Sequence, residues 1–139
     1  MIRKPTNQLG AAWDILYQIL QLVENDEIDY SKKCNWPYVK SKLSTVSIYN
    51  VDDYVIIENE KGTLKLYKSG VIASTFLKAF RDAFAHNFIT YDENTKVISV
   101  DLKSKLKHHE VLKGEIELEV LKEIVKLIKE SRNQKVTNQ

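Results

Sequence analysis

The sequence predicts a mainly α-helical bundle with one or two small β-hairpins. Three stretches repeat apolar residues at spacings of three and four, the period of a helix that buries one face. Only four Gly and two Pro occur in 139 residues, so a barrel or sandwich of many short strands is disfavoured. With 43% apolar residues the chain can build one core. We therefore expect a single domain over 1–139, with 133–139 as a disordered tail.

Three amphipathic helices account for most of this pattern. The first begins near Asn7, an N-cap residue type, and ends in the polar segment 24–29. The second covers about Gly70 to His86, and Asn87 after it suits the left-handed conformation that closes many helices. The last covers about Glu115 to Ser131. Their apolar faces are Leu9, Trp13, Leu16, Leu20 and Val23; Ile72, Phe76, Ala79 and Ala83; and Leu118, Leu121, Val125 and Ile128.

Two hairpins are predicted between the helices. Tyr54 to Tyr67 holds two runs of β-forming residues around Glu60-Lys61-Gly62. A second hairpin pairs 88–91 with 97–100 across a polar turn. The segment 101–114 is rich in lysine and is expected to be a polar connector.

A small aromatic cluster surrounds Cys34, the only cysteine. Pro37 can open a short helix there. Trp36 and Tyr38 could stack on a base, but packing against the first helix is the favoured interpretation. A lone thiol excludes an intramolecular disulfide and suits a reducing compartment.

Charge and hydropathy exclude several classes of protein. The net charge is only +2, from 21 basic and 19 acidic residues, which permits an RNA substrate without arguing for one. No window reaches the roughly 18 apolar residues of a membrane span, and no export signal is visible, so we expect a cytoplasmic protein with no membrane partner. No glycine-rich phosphate loop is present, which argues against a nucleotide triphosphatase.

The candidate catalytic residues are Arg81, Asp82 and His86, near the end of the second long helix. Histidine exchanges protons near neutral pH, arginine suits a phosphate, and aspartate can orient an imidazole. Asp82 and His86 lie about 40° apart around a helix and can touch, whereas Arg81 and His86 lie about 140° apart. A structural interpretation competes, because a histidine in the last turn is favoured by the helix dipole and Arg81 suits a solvated face.

The stretch FLKAFRDAFAHNFI, residues 76–89, resembles the signature of the HEPN superfamily: Arg, a polar residue, a short spacer and His, on the third helix of a small bundle. The clearest likeness is to plasmid- and phage-associated HEPN family nucleases of bacteria, and it is tight over about residues 69–101. Asp82 stands where Asn is more usual. Asp and Asn can both hydrogen-bond His86, but Asp would also raise the basicity of the imidazole.

The resemblance implies metal-independent cleavage of RNA without a cofactor. The substrate 2′-hydroxyl would attack the neighbouring phosphate and leave cyclic phosphate and 5′-hydroxyl ends. His86 would act as general base or acid, Arg81 would stabilise the charge on phosphorus, and Asp82 would orient His86. Such proteins act as toxins or phage-defence effectors, for which a small antitoxin protein would be a partner.

A second candidate site is a basic patch for RNA phosphates. Its residues are Lys103, Lys105, Lys107, His108 and His109. Adjacent histidines rarely ligate one ion, so no metal site is assigned to them. A solvated connector is the competing interpretation.

The oligomeric state and the catalytic activity can each be interpreted in more than one way. The wide offset between Arg81 and His86 predicts a two-fold homodimer whose cleft is built from both copies of the 70–86 helix, where Ala79, Ala83 and Ala85 allow close approach. A non-catalytic HEPN module that binds RNA or a nucleotide is one alternative. A module that only dimerises or binds a partner protein is the other.

Overall fold

The computed structural model describes residues 9–25, 36–68, 72–105 and 109–137, with side chains through 131. It combines helices with a single sheet. The elements in chain order are a 3₁₀ turn (Gly10–Ala12), α1 (Trp13–Glu24), α2 (Trp36–Lys42), β1 (Ser47–Val51), β2 (Tyr54–Asn59), β3 (Gly62–Tyr67), α3 (Ile72–Ala85), β4 (Ile89–Asp92), β5 (Val97–Lys103), β6 (Glu110–Glu117) and α4 (Leu118–Thr137).

The prediction of a mainly α-helical bundle is wrong. Six antiparallel strands form one sheet in the order β1-β2-β3-β6-β5-β4. The two hairpins foreseen from the sequence are β2–β3 and β4–β5, and both are confirmed. The strands β1 and β6 were missed, and β6 joins the two hairpins into a continuous sheet.

The predicted polar connector over 101–114 is also wrong, because β5 continues to Lys103 and β6 begins at Glu110. The inward residues of β6 are Leu112, Gly114 and Ile116, so a glycine interrupts the apolar alternation. Gly114 has φ +129°, and a Cβ there would overlap the carbonyl oxygen of Thr63. The position therefore requires glycine, which removes the signal by which a strand is recognised.

The topology consists of two units of three strands followed by a helix. In the first, β1–β2–β3 leads into α3, and in the second, β4–β5–β6 leads into α4. The two units meet at the antiparallel pair β3–β6 in the middle of the sheet. Because each unit of three strands extends outward from this pair, β1 and β4 are the two edge strands.

The core lies between one face of the sheet and the helices. Phe76 and Phe80 of α3 are fully buried, and their rings are 5.0 Å apart. Burial of each such ring contributes about 2–3 kcal/mol to folding. Helix α1 packs against α3, and α2 packs against α4. The sheet residues facing them are Val55, Ile57, Leu64, Leu66, Ile98, Val100, Leu102, Leu112 and Ile116.

The three amphipathic helices are confirmed, with shifted bounds. The apolar residues predicted for the last helix are buried, but that helix begins at Leu118 because Glu115 belongs to β6. Helix α4 is described to Thr137, within the segment expected to be a tail. Asn7, Cys34 and Gly70 lie outside the described residues.

The short helix near Pro37 is present as α2. The ring of Trp36 lies 6.2 Å from that of Phe76 on α3. The hydroxyl of Tyr38 donates to Glu130 Oε1 on α4 at 3.3 Å. These two side chains therefore contact α3 and α4.

The opposite face of the sheet, which we call the open face, carries mostly exposed and half-exposed side chains. Successive side chains of a strand point to opposite faces of the sheet, so every second residue lies here. Ile56 and Val97 are buried on this face. The other residues of this face include Tyr49, Val51, Tyr54, Glu58, Thr63, Lys65, Tyr67, Lys113, Glu115, Glu117, Ser99, Asp101 and Thr90.

Candidate functional site at the end of the third helix

The end of α3 is fixed by a Schellman turn. Asn87 has φ +63°, as the sequence predicts, and the amide of Phe88 donates to the carbonyl of Ala83 at 2.8 Å. The amide of Asn87 donates to the carbonyl of Phe84 at 3.4 Å, which completes the motif. His86 is thus the last residue before the chain turns away into β4. The closed turn holds its backbone in one place at the helix end.

The imidazole of His86 is exposed and lies near the ring of Phe88, at 6.3 Å between ring centroids. Among the described residues, no side chain is hydrogen-bonded to either ring nitrogen. Phe88 is itself 47% exposed. The imidazole is therefore accessible to a substrate from solvent, beside an exposed aromatic ring.

Arg81 lies one turn earlier and is held by two carboxylates. Its Nε donates to Asp82 Oδ1 at 2.6 Å, and its Nη1 donates to Glu24 Oε2 on α1 at 2.5 Å. Partial burial lowers the pKa of Arg81, but hydrogen bonds and charges of Asp82 and Glu24 outweigh this effect and raise it. The guanidinium is therefore fixed in direction, permanently charged, and about one-fifth exposed at 21%.

The structure does not bring the three predicted residues into one cluster. The carboxylate of Asp82 contacts Arg81, whereas the sequence suggested that it orients His86. Arg81 is directed toward α1, and His86 lies at the helix end beside β4. This separation agrees with the 140° offset expected on a helix.

The helix face expected to meet a second copy is buried within the chain. Ala79 is 3% exposed, while Phe76 and Ala83 are 0% exposed, and α1 packs against this helix. Of the three alanines proposed to allow close approach, Ala85 alone is exposed. A second copy could therefore contact α3 at its C-terminal end but not along the length of this face.

The predicted basic patch is only partly described. Lys107 and His108 lie outside the described residues, while Lys103 and Lys105 are exposed at the end of β5 and just beyond it. His109 is not in a loose connector: its ring stacks on Tyr67 of β3 at 4.0 Å, with 21° between the planes. The patch thus continues onto the open face of the sheet.

Sequence reasoning missed the open-face residues that surround His109. Tyr54 and Tyr67 are cross-strand neighbours with ring centroids 5.6 Å apart, and Lys65 Nζ lies 4.7 Å from the centre of the Tyr54 ring. The sequence does place Tyr54 and Tyr67 at outward positions of a correctly predicted hairpin. Aromatic residues also favour strands, and the pattern by itself indicates only a strand.

Two grooves differ in the number of carboxylates that line them. One, of about 290 Å³, lies on the open face and is lined in part by Phe88, Lys113, Asp101 and Glu115. The other, of about 430 Å³, is lined by four carboxylates beside the start of α4. A phosphate chain would be repelled by the second groove, which is lined by Glu60, Glu117, Glu119 and Glu123.

The described part of the chain contains neither a group of metal-ligand side chains nor a helix suited to span a membrane. Within the described ranges, no three His, Cys, Asp or Glu side chains are grouped as metal ligands would be. Over the same ranges, none of the helices combines the length and the apolar character needed to cross a bilayer. Comparison of the chain with protein-family models, curated proteins and solved structures gave no match.

Proposed function

We propose that the protein is an endoribonuclease that cleaves RNA without a metal ion, through Arg81 and His86. The observation that carries this proposal is the accessible imidazole of His86, held at the end of α3 by a fixed turn, one helical turn from a fixed guanidinium. An acid–base group and a permanent cation are the two groups that 2′-hydroxyl attack on a phosphodiester requires.

In this reaction His86 accepts the proton of the substrate 2′-hydroxyl while water protonates the departing 5′-oxygen, or His86 donates the proton to the 5′-oxygen while water accepts that of the 2′-hydroxyl. The 2′-oxygen forms a bond to phosphorus as the bond from phosphorus to the 5′-oxygen breaks. Arg81 neutralises the charge that builds on the phosphoryl oxygens. Asp82 acts as a positioning residue for Arg81, because its carboxylate accepts from the guanidinium Nε.

A homodimer belongs to the same proposal, because one chain keeps Arg81 and His86 apart. A second copy that meets the exposed end of α3, around Ala85 and His86, would bring the Arg81 of one chain toward the His86 of the other. Two-fold symmetry would then create two identical composite sites. In a cell, the protein would use this activity as a toxin or a defence effector, and an antitoxin protein would be its partner.

Cleavage should persist in EDTA and should require the 2′-hydroxyl. We expect purified protein to cut a single-stranded RNA but neither the same RNA with every 2′-hydroxyl methylated nor DNA, because both lack the nucleophile. The measurement is gel analysis of end-labelled substrates with and without EDTA. Cleavage of DNA, or activity lost in EDTA and restored by magnesium, would contradict the mechanism.

Glu24→Gln should increase cleavage modestly. The Glu24 carboxylate competes with a phosphate for Arg81, and its side chain is 55% exposed, so the ion pair is worth at most about 1 kcal/mol. We expect kcat/KM to rise by up to about fivefold. The matched control is Glu119→Gln, which removes the same charge from an exposed pair with Lys122. A large loss of activity in Glu24→Gln alone would mean that Glu24 orients Arg81 instead of competing for it.

A binding module without catalysis is the second candidate. It is favoured by the ion pairs of Arg81, since a guanidinium already satisfied by two carboxylates can serve as a structural anchor between α1 and α3. The two candidate functions predict different outcomes when the protein is incubated with RNA. A binding module retains RNA in EDTA uncut, whereas the nuclease converts it to product.

A further inference from the structure

The open face of the sheet carries a cluster of aromatic rings and lysines on one half only. Tyr54, Tyr67 and His109 form a continuous set, joined by the edge contact at 5.6 Å and the stacked contact at 4.0 Å. Lys65 lies against the Tyr54 ring, and Lys113 stands directly opposite Lys65 in the register. We call these five residues the aromatic-basic cluster. Flat rings between positive charges are the elements of surfaces that stack unpaired bases.

The other half of the open face is acidic. Glu58 stands opposite Thr63, Glu115 opposite Ser99, and Glu117 opposite Val97. Among the described contacts, Asp101 accepts from Lys113 at 3.2 Å, and the charges of Glu110 and Glu115 also raise the pKa of Lys113. Among the described contacts Lys65 has no carboxylate partner, so it is the cluster lysine that is available to attract a phosphate.

The basic half leads toward His86. Lys113 lines the 290 Å³ groove together with Asp101 and Glu115, and Phe88, the ring next to the imidazole of His86, also lines it. From Tyr54 on β2 to β4 there are four strand spacings, about 19 Å. A short stretch of extended chain can therefore cross the sheet from the aromatic-basic cluster to the end of α3.

We propose that the aromatic-basic cluster is a binding surface for single-stranded RNA, which stacks its bases on Tyr54, Tyr67 and His109 and leads the chain across the groove to His86. This inference rests on the proposed function for its choice of RNA. Bases must be unpaired to stack there, so a duplex of the same sequence binds more weakly.

The test measures binding by fluorescence anisotropy, with a labelled 2′-O-methylated RNA that cannot be cut. The Tyr54→Ala/Tyr67→Ala double variant should weaken binding by about tenfold or more, because each lost ring removes a base-stacking partner. Tyr54→Phe/Tyr67→Phe should restore it, since stacking needs the ring and not the hydroxyl. The matched control is Tyr17→Ala, an exposed tyrosine on α1.

Cleavage kinetics separate this inference from the proposed function. The Tyr54→Ala/Tyr67→Ala variant should raise KM for single-stranded RNA and leave kcat within about twofold. Unchanged RNA binding by that variant, or equally tight binding of a duplex by the wild type, would contradict the proposed binding surface. If wild type binds the RNA through these tyrosines but cuts no RNA, the surface stands and the nuclease proposal fails.

Discussion

His86→Ala should lower RNA cleavage by about 10²-fold or more, which is the smallest loss expected for removal of a general acid–base group. The fold should survive, because the imidazole is exposed and the described structure assigns it no side-chain hydrogen bond. The measurement is single-turnover cleavage of labelled RNA, alongside thermal unfolding. His86→Gln should be equally inactive, since glutamine can hydrogen-bond but cannot transfer a proton at neutral pH.

Lys122→Ala provides a control for truncation of an exposed polar side chain, because this lysine is exposed on α4 and far along the chain from the site. It should cut as fast as wild type. A His86→Ala protein that retains full activity would remove His86 from the chemistry. The binding-module alternative would then account for the exposed histidine and the fixed arginine.

Inactive Arg81→Ala and His86→Ala proteins should regain activity when their subunits are mixed. In a two-fold dimer with composite sites, each mixed dimer contains one site with both an intact arginine and an intact histidine. Random exchange makes half of the dimers mixed, so we expect about a quarter of wild-type activity. The measurement is cleavage after co-refolding, with native mass spectrometry to count mixed dimers.

The control for this experiment is each variant refolded alone, which should stay inactive. If mixed dimers form and remain inactive, the arginine and histidine of a site come from the same chain. A protein that is monomeric at micromolar concentration and fully active would contradict the dimer itself. The buried face of α3 already restricts any such interface to the helix end.

The elements that the sequence predicts correctly are those with an uninterrupted local pattern. Helices α1, α3 and α4 have long apolar stripes, and the hairpins β2–β3 and β4–β5 have short turns between β-forming runs. The strands that were missed lack such a pattern. β1 has one inward apolar residue, Ile48, because it is a sheet edge, and β6 has Gly114 at an inward position.

The error in fold class follows from a non-local contact. The strand β6 pairs with β3 across about fifty residues of sequence and joins two hairpins that would otherwise be separate. Neither its partner nor its register is encoded in a short window. The lysine-rich stretch 101–114, with its one glycine, therefore resembles a connector when it is considered without its partner strands.

The sequence predicts which residue types form the candidate site, but it does not predict the contacts between them. The helix end at Asn87 followed from local chemistry, since asparagine tolerates a positive φ. The ion pair of Arg81 with Glu24 did not, because Glu24 lies fifty-seven positions away on α1. The aromatic-basic cluster likewise depends on the β3–β6 pairing, which places His109 against Tyr67.

The most direct test of the account is end-group analysis of RNA cut by the purified protein in EDTA. Attack by the 2′-hydroxyl leaves a 5′-hydroxyl on one fragment and a 2′,3′-cyclic phosphate on the other. We expect both ends by mass spectrometry and labelling, and neither from the His86→Ala protein. Products with 5′-phosphate ends, or an RNA that stays intact unless a divalent metal is added, would contradict the assignment of Arg81 and His86 as a metal-independent ribonuclease site.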